Sequence, residues 1–303
     1  MTIITKRFDH PARVVIDHDR CDACGLCVAV CKGAPLSMVE GAVEADQAQF
    51  FGCIACGQCM AVCPQDCIRV EGRDLSPGDM FPLPHLDFDE AYASLTDLLV
   101  HRRSVRNFQD TAVPRETIQH ILDAVATAPM GIPPSDVEVL VFDNPDAVQR
   151  FTADVMGFFQ GIKWLFSDAM LTMLRPLMSK ENTAVFRGFL APAIQGILEK
   201  YTLGEDWLTY NAPCALYFYT SPYADQADPV IAATYAMLAA ESLGLGSCML
   251  GKIPYCFKYS RKLRHKYQIP NNIQHGLILV LGYPAITYQK GIQRRLGKVR
   301  YIS

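Results

Sequence analysis

The sequence predicts an α+β chain of two domains: a small cysteine-rich domain over residues 1–80, then a larger domain of helices and strands over 88–303. Three observations carry this. The run C-x2-C-x2-C-x3-C occurs twice, from Cys21 to Cys31 and from Cys53 to Cys63. A proline-rich passage follows, Ser76-Pro-Gly-Asp and Phe81-Pro-Leu-Pro84, and reads as a linker. Beyond it, helical apolar periods alternate with short apolar runs of strand length. Half of the 303 residues are apolar, enough for more than one packed core.

In the first domain, Arg13 to Asp17 reads as a short strand leading into the first cysteine loop. Leu36 to Ala45 alternates about Glu40-Gly41, as a hairpin does, and Ile68-Arg-Val-Glu71 closes the unit as a third short stretch of strand. Three thiolates at the observed spacing wrap one cuboidal cluster, and the fourth cysteine of each run ligates the other cluster. Cys21, Cys24 and Cys27 therefore pair with Cys63, and Cys53, Cys56 and Cys59 with Cys31, giving two [4Fe–4S] clusters. The competing reading is a pair of zinc knuckles or a disulfide framework. Zinc sites use four ligands and separate their C-x2-C pairs by a longer loop, so two complete tetrads speak against it. The stretch resembles a bacterial-type two-cluster ferredoxin, with Lys32 standing where that pattern carries proline. The remaining cysteines, Cys67, Cys214, Cys248 and Cys256, read as small buried hydrophobes. Eight ligand thiolates imply a reducing, cytoplasmic compartment. The opening residues show no apolar run of the kind a secretory signal needs, and no apolar span is long enough for a transmembrane helix.

The second domain opens with a helix from Phe88 to His101, apolar at Tyr92, Leu95, Leu98 and Leu99. It runs into Arg102-Arg103-Ser104-Val105-Arg106, which reads either as a solvated cationic helix end or as a phosphate clamp, guanidinium forks being matched to phosphate oxygens. A second amphipathic helix, Glu116 to Ala128, stops at Pro129-Met130-Gly131. Val137 to Phe142 and Pro213 to Tyr219 read as strands, Asp228 to Glu241 as an alanine-rich helix, and Gly276 to Gly282 as a buried strand. Gly244-x-Gly246 fails as a dinucleotide fingerprint: Met249 holds the third glycine position and the pair follows a helix instead of a strand. Residues 151–210 form a helical insertion. Its apolar stripes read first as core or dimer packing, then as a lid with Phe158, Trp164 or Phe186 against a ring, and last as a membrane surface.

Arg-Arg-Ser-Val-Arg-x-Phe after the first helix, Ala-Pro-x-Gly after the second and Gly-Leu-Gly-Ser-Cys-x-x-Gly after the third resemble the nitroreductase family, as does Leu-Gly-Tyr-Pro before a basic tail. The likeness spans about residues 88–303. It implies an FMN-dependent α+β homodimer, a mixed sheet flanked by helices, with the flavin at the dimer interface. By resemblance, Arg102, Arg103 and Ser104 hold the FMN phosphate and ribityl chain with Arg106 close by, and Met130 and Gly131 lie along the ring. Leu250 and Gly251 face its pyrimidine edge, and Arg294 or Arg295 completes the phosphate site. Where the family carries asparagine and glutamine after Ala-Pro, this chain has Pro133, which cannot donate, and Ser135, a shorter substitute. The implied activity is an oxidoreductase passing electrons through the clusters to FMN and then as hydride to a small acceptor, a nitroaromatic, quinone or activated alkene. A reduced ferredoxin or NAD(P)H is the donor. The rivals are a non-catalytic electron-transfer subunit, and an NAD(P)H-oxidising flavoprotein sending electrons outward through the clusters. No general base or nucleophile is required, so no catalytic side chain is assigned.

The net charge of −3 is unevenly spread. Residues 1–80 stand at −4 and residues 81–241 at −10, while the segment after Glu241 has no acidic residue and stands at +11. Such a segment serves an anion: a cofactor phosphate, an acidic protein or an anionic surface. No recognition motif points to nucleic acid.

Overall fold

The chain is described in a computed structural model over residues 12–32, 35–49, 52–72, 80–129, 131, 136–174, 176, 179–222 and 224–302. Met130, Pro133 and Ser135 of the expected flavin loop lie outside the described residues. The chain divides into two compact units. One comprises 1–87 with 129–137 and 220–228, the other 88–128, 138–219 and 229–303.

The cysteine-bearing part contains β1 (Arg13–Ile16), α1 (Leu26–Val30), β2 (Leu36–Val39), β3 (Ala42–Ala45), α2 (Gln58–Val62) and β4 (Ile68–Glu71). β1 pairs antiparallel with β4, Arg13 opposite Glu71 and Ile16 opposite Ile68. β2 and β3 form the expected hairpin, Val39 opposite Ala42. Its two turn residues, Glu40 and Gly41, have φ of 49° and 85°. A two-residue turn with both φ positive matches the right-handed twist of the flanking strands, and glycine takes the second of its positions without steric cost. Val14, Leu36, Val43, Met60, Ile68 and Val70 fill the small core, and Cys21, Cys31, Cys53 and Cys63 pack against it.

The rest of the chain forms α3 (Phe88–His101), α4 (Arg115–Ala126), β5 (Val137–Phe142), α5 (Pro145–Ile162), a 3-10 segment (Lys163–Phe166), α6 (Asp168–Leu174), α7 (Lys180–Val185), a π-helical turn (Phe186–Leu190), α8 (Ala191–Thr202), β6 (Cys214–Thr220), α9 (Asp228–Ser242), β7 (Gly246–Leu250), α10 (Tyr255–Tyr259), α11 (Arg261–Lys266) and β8 (Gln274–Gly282). The sheet runs β5-β6-β8-β7, with β7 antiparallel to β8. Every residue of β6 is buried. At Gly276 an added Cβ would lie 1.4 Å from the Phe218 carbonyl oxygen, so β8 passes β6 at a distance only glycine permits.

The core is aromatic. Phe142 stacks on Phe151 at 4.6 Å between centroids, and Tyr217 on Phe257 at 4.8 Å. Tyr267 stands edge-on to Phe151 at 5.8 Å, an arrangement aromatic quadrupoles favour. α5 supplies much of this core. Asn144 caps it, its side chain accepting from Ala147 N at 2.9 Å, and Pro145 sits in the first turn, where a missing N–H costs nothing. The helix continues without a break through residue 151, where the sequence suggests an insertion, and Phe151, Val155, Met156 and Phe159 are buried. Residues 151–162 are therefore core helix. The departure from a continuous helix comes at Lys163, and α6 then ends at Leu174, ahead of Pro176.

Candidate functional site

Two cavities occupy the cysteine-bearing part. One is lined by Cys21, Cys24, Cys27 and Cys63, together with Cys67. The other, of about 190 Å³, is lined by Cys31, Cys53, Cys56 and Cys59. Each set takes three cysteines from one run and the fourth from the other. The two loops share one backbone path. Ala23 and Gly25 have φ of 56° and 72°, Ala55 and Gly57 of 59° and 73°. Alternating left-handed residues curl successive N–H groups towards a common concavity, the form in which backbone cradles an anionic centre. Gly25 and Gly57 also stand at the N-caps of α1 and α2.

Burial and crowding of the sulfurs call for positive charge at the site. Burial pushes the Cys59 thiol up to about 12, and the neighbouring Cys53 and Cys56 sulfurs add to it. Burial likewise raises Cys27. Holding these sulfurs as thiolates needs positive charge beside them, which iron supplies. Backbone N–H groups already point at sulfur: Ala55 N donates to Cys53 Sγ at 3.4 Å and Cys67 N to Cys63 Sγ at 3.5 Å. Among the described residues no group of three or more His, Cys, Asp or Glu side chains could hold a metal ion as they stand. Four thiol sulfurs lining each cavity are a donor set that fits an iron–sulfur centre.

The second site is built where α3 ends beside the edge strand β7. Val105 N donates to Ser247 O at 2.9 Å, and Ser104 bridges Ser247 in parallel. The basic run is thereby laid along β7. Arg103 Nη1 donates to Arg102 O at 2.6 Å and Nη2 to Lys290 O at 3.1 Å, while its Nε is buried without a partner. Ser247 Oγ is buried and unpartnered too. An orphaned guanidinium N–H and an orphaned hydroxyl on neighbouring segments fit an anionic, oxygen-rich group such as a flavin phosphate and ribityl chain. Arg106 Nη1 donates to Ser104 O at 3.3 Å, and its guanidinium lies over the Tyr210 ring at 5.7 Å. Gly291 packs so closely that an added Cβ would lie 3.2 Å from Arg103 Nη2. The basic tail thus returns to Arg103 three residues before Arg294, although Arg294 and Arg295 themselves are exposed. Leu250 ends β7 opposite Ile278, and the exposed Gly251 follows it. Gly131 N is committed to Asp228 Oδ1 at 3.1 Å, and Asp228 is buried at the start of α9.

Sequence reasoning passed over two parts of this region. In the sequence Ser247 stands out only as part of a motif. Tyr210 and Asn211 hold φ of 60° and 50°, an uncommon pair for residues with side chains. The Asp206 carboxylate imposes that turn, accepting from Leu208 N at 2.8 Å, Thr209 N at 2.9 Å and Asn211 N at 2.9 Å. Aspartate followed by threonine three residues on was the available signal. Of the aromatic residues expected as a lid, Phe158 of α5 packs against the main core, Phe186 stacks on Phe166 at 5.9 Å, and Trp164 is exposed. The helices there border a cavity of about 650 Å³, open to solvent and lined by Phe166, Ile194, Leu198, Lys163 and Arg187 among others. All four leftover cysteines are buried, as expected.

Comparison with known proteins agrees with this geometry. Residues 99–283 match the Nitroreductase family, and residues 13–64 match a 4Fe-4S dicluster domain. A protein of Methanothermobacter thermautotrophicus, provisionally named an NADH dehydrogenase/NAD(P)H nitroreductase, is 23% identical over 201 residues, covering 66% of this chain and 83% of its own length. A nitroreductase from Bacteroides fragilis solved with bound FMN has a TM-score of 0.50 at 20% identity, over 69% of this chain and 98% of its own. A second with bound FMN, from Desulfitobacterium hafniense, has the same TM-score and identity over 69% and 97%.

Proposed function

Because this chain belongs to the nitroreductase family and carries a 4Fe-4S dicluster domain ahead of the family region, we propose that it is an iron–sulfur flavoprotein oxidoreductase with two [4Fe–4S] clusters and FMN. The observation that carries the reading is the division of eight cysteines into two cavities, each lined by a cross-paired tetrad. The clusters, when bound, supply one-electron transfer and FMN supplies the exchange between one- and two-electron chemistry. The chain's own part is to hold and insulate them. Arg102, Arg103, Ser104 and Arg106 bind the phosphate and ribityl end, Arg294 or Arg295 adds charge from the tail, and Met130, Gly131, Ser135, Leu250 and Gly251 address the ring. The acceptor is a small molecule of the nitroaromatic, quinone or activated-alkene class. The donor is a reduced ferredoxin or, as in the name of the Methanothermobacter relative, NAD(P)H.

A homodimer completes the reading. α3 carries the apolar stripe Tyr92, Leu95 and Leu99, yet none of its residues is buried, Tyr92 being 73% exposed. A face of that kind needs a partner, and a second copy supplies one. Among the described residues no helix is long and apolar enough to cross a membrane. The ligand thiolates favour a reducing cytoplasm.

Anaerobic protein is expected to carry about eight iron and eight acid-labile sulfide per chain. Bound zinc without sulfide would end the cluster reading. Replacing Cys27 or Cys63 should each cost the same cluster. Rapid anaerobic mixing with reduced ferredoxin, NADH and NADPH, watching flavin and cluster absorbance, identifies the donor. Failure of the reduced chain to turn over any of the three acceptor classes would return it to an electron-transfer subunit.

A further inference from the structure

Nine cysteines, not eight, face the two cavities. The ninth is Cys67, 5% exposed, which lines the first cavity with Cys21, Cys24, Cys27 and Cys63. Its sulfur lies 3.4 Å from Cys63 Sγ, and Cys21 lines the same cavity. Its position is fixed from both sides, since its carbonyl accepts from Asp17 N at 2.7 Å and its own N–H points at Cys63 Sγ. The second cavity has no counterpart. Cys67 stands four residues after Cys63, and the residue four after Cys31 is Pro35, which lines the second cavity and has neither an N–H nor a side-chain donor.

We propose that Cys67 is a hydrogen-bond donor to the ligand sulfurs of the first cluster, raising that cluster's reduction potential and making the two clusters unequal. This rests on the two-cluster reading above. A ligating cysteine is a thiolate and has no proton to give, so the proton between Cys63 and Cys67 belongs to Cys67. A second thiolate at that distance would repel the first. An S–H aimed at a ligand sulfur favours the more negative, reduced state of the cluster, and hydrogen bonds to the sulfurs are among the levers that set such potentials. Lys32 beside the second cavity and Asp22 beside the first also bear on the potentials. Both are exposed and screened by salt, whereas the Cys67 thiol is buried.

The test is an anaerobic potentiometric titration of the full, cluster-loaded chain, followed by electron paramagnetic resonance, with iron and sulfide measured on the same samples. Cys67→Ala should keep the full iron content. One midpoint should move to more negative potential, about a tenfold loss in the reduced-to-oxidised ratio, or ~59 mV for one electron, while the other midpoint stays. Cys67→Ser, which keeps a donor, should stay near the wild type. Cys67→Val, similar in shape without a donor, reads the same shift should Cys67→Ala lose packing. Two unchanged midpoints in a fully loaded donorless variant overturn the proposal. So does loss of about four iron in every Cys67 variant, which would make it a ligand. Wild-type protein without eight iron would instead sink the two-cluster reading beneath it.

Discussion

Arg103 gives two of its guanidinium nitrogens to the carbonyls of Arg102 and Lys290 and buries its Nε with none. The two backbone bonds fix the plane of the guanidinium, and the idle N–H is what an anion would take up. Losing a charge-assisted hydrogen bond costs roughly 1.5–3 kcal/mol, so Arg103→Ala should weaken FMN binding by about ten- to a hundredfold. Flavin released on dilution, followed by its fluorescence, measures this, and circular dichroism checks that the fold is retained. Arg103→Lys should recover only part of the loss, because a point charge does not reproduce the fork. Unchanged affinity in Arg103→Ala would return this run to a solvated helix end. The same scale shows what a sequence can and cannot disclose. Cluster cysteines are legible because their spacing is the chemistry. Cys67 was legible as a buried thiol but not as one facing a ligand, because that depends on β4 bringing residue 67 back beside the first loop.

Element by element, the hairpin at Glu40-Gly41 and the helices Phe88–His101 and Arg115–Ala126 follow from turn chemistry and apolar period, and the sequence places them to within two residues. That α5 is one continuous core helix was not legible, because its buried stripe from Val148 to Phe159 runs across residue 151, where the sequence suggests that an insertion begins. α11 misleads in the opposite sense. Its sequence, Arg-Lys-Leu-Arg-His-Lys, reads as solvated charge, yet Arg264 is buried. It donates to the carbonyls of Phe257 and, at 2.8 Å, Lys258, which end α10, and to Asn271 Oδ1 at 3.3 Å. Arg264 therefore joins two short helices whose lengths give them little stability of their own. Arg264→Met leaves those buried carbonyls without donors and should destabilise the chain by about 2–4 kcal/mol. Chemical denaturation of the loaded protein reads this as a lowered midpoint. A midpoint within error of wild type would mean that water replaces the guanidinium.

At the scale of the whole molecule the charge asymmetry is the feature the cofactors do not exhaust. The segment after Glu241 stands at +11, and a bound FMN phosphate neutralises about two charges near neutral pH. The structure removes some of the remainder from any docking role: Arg264 is internal, and Lys266 pairs with Asp154 at 2.5 Å. A compact set of exposed cations is left on α10 and α11, namely Lys258, Arg261 and Lys262. The blander account is a solvated face, and salt separates the two. If these residues steer an acidic redox protein, its reduction of the chain should slow steeply as ionic strength rises, because screening removes long-range attraction. Electron transfer within one chain, already past encounter, should barely respond. Replacing Lys258, Arg261 and Lys262 together by Gln should reproduce the high-salt rate at low salt, with FMN content and iron unchanged. Stopped-flow mixing with reduced ferredoxin across a salt series decides it. A triple variant that keeps both the wild-type rate and the wild-type salt slope excludes this surface as the docking site and leaves the tail after residue 290 as the next to test.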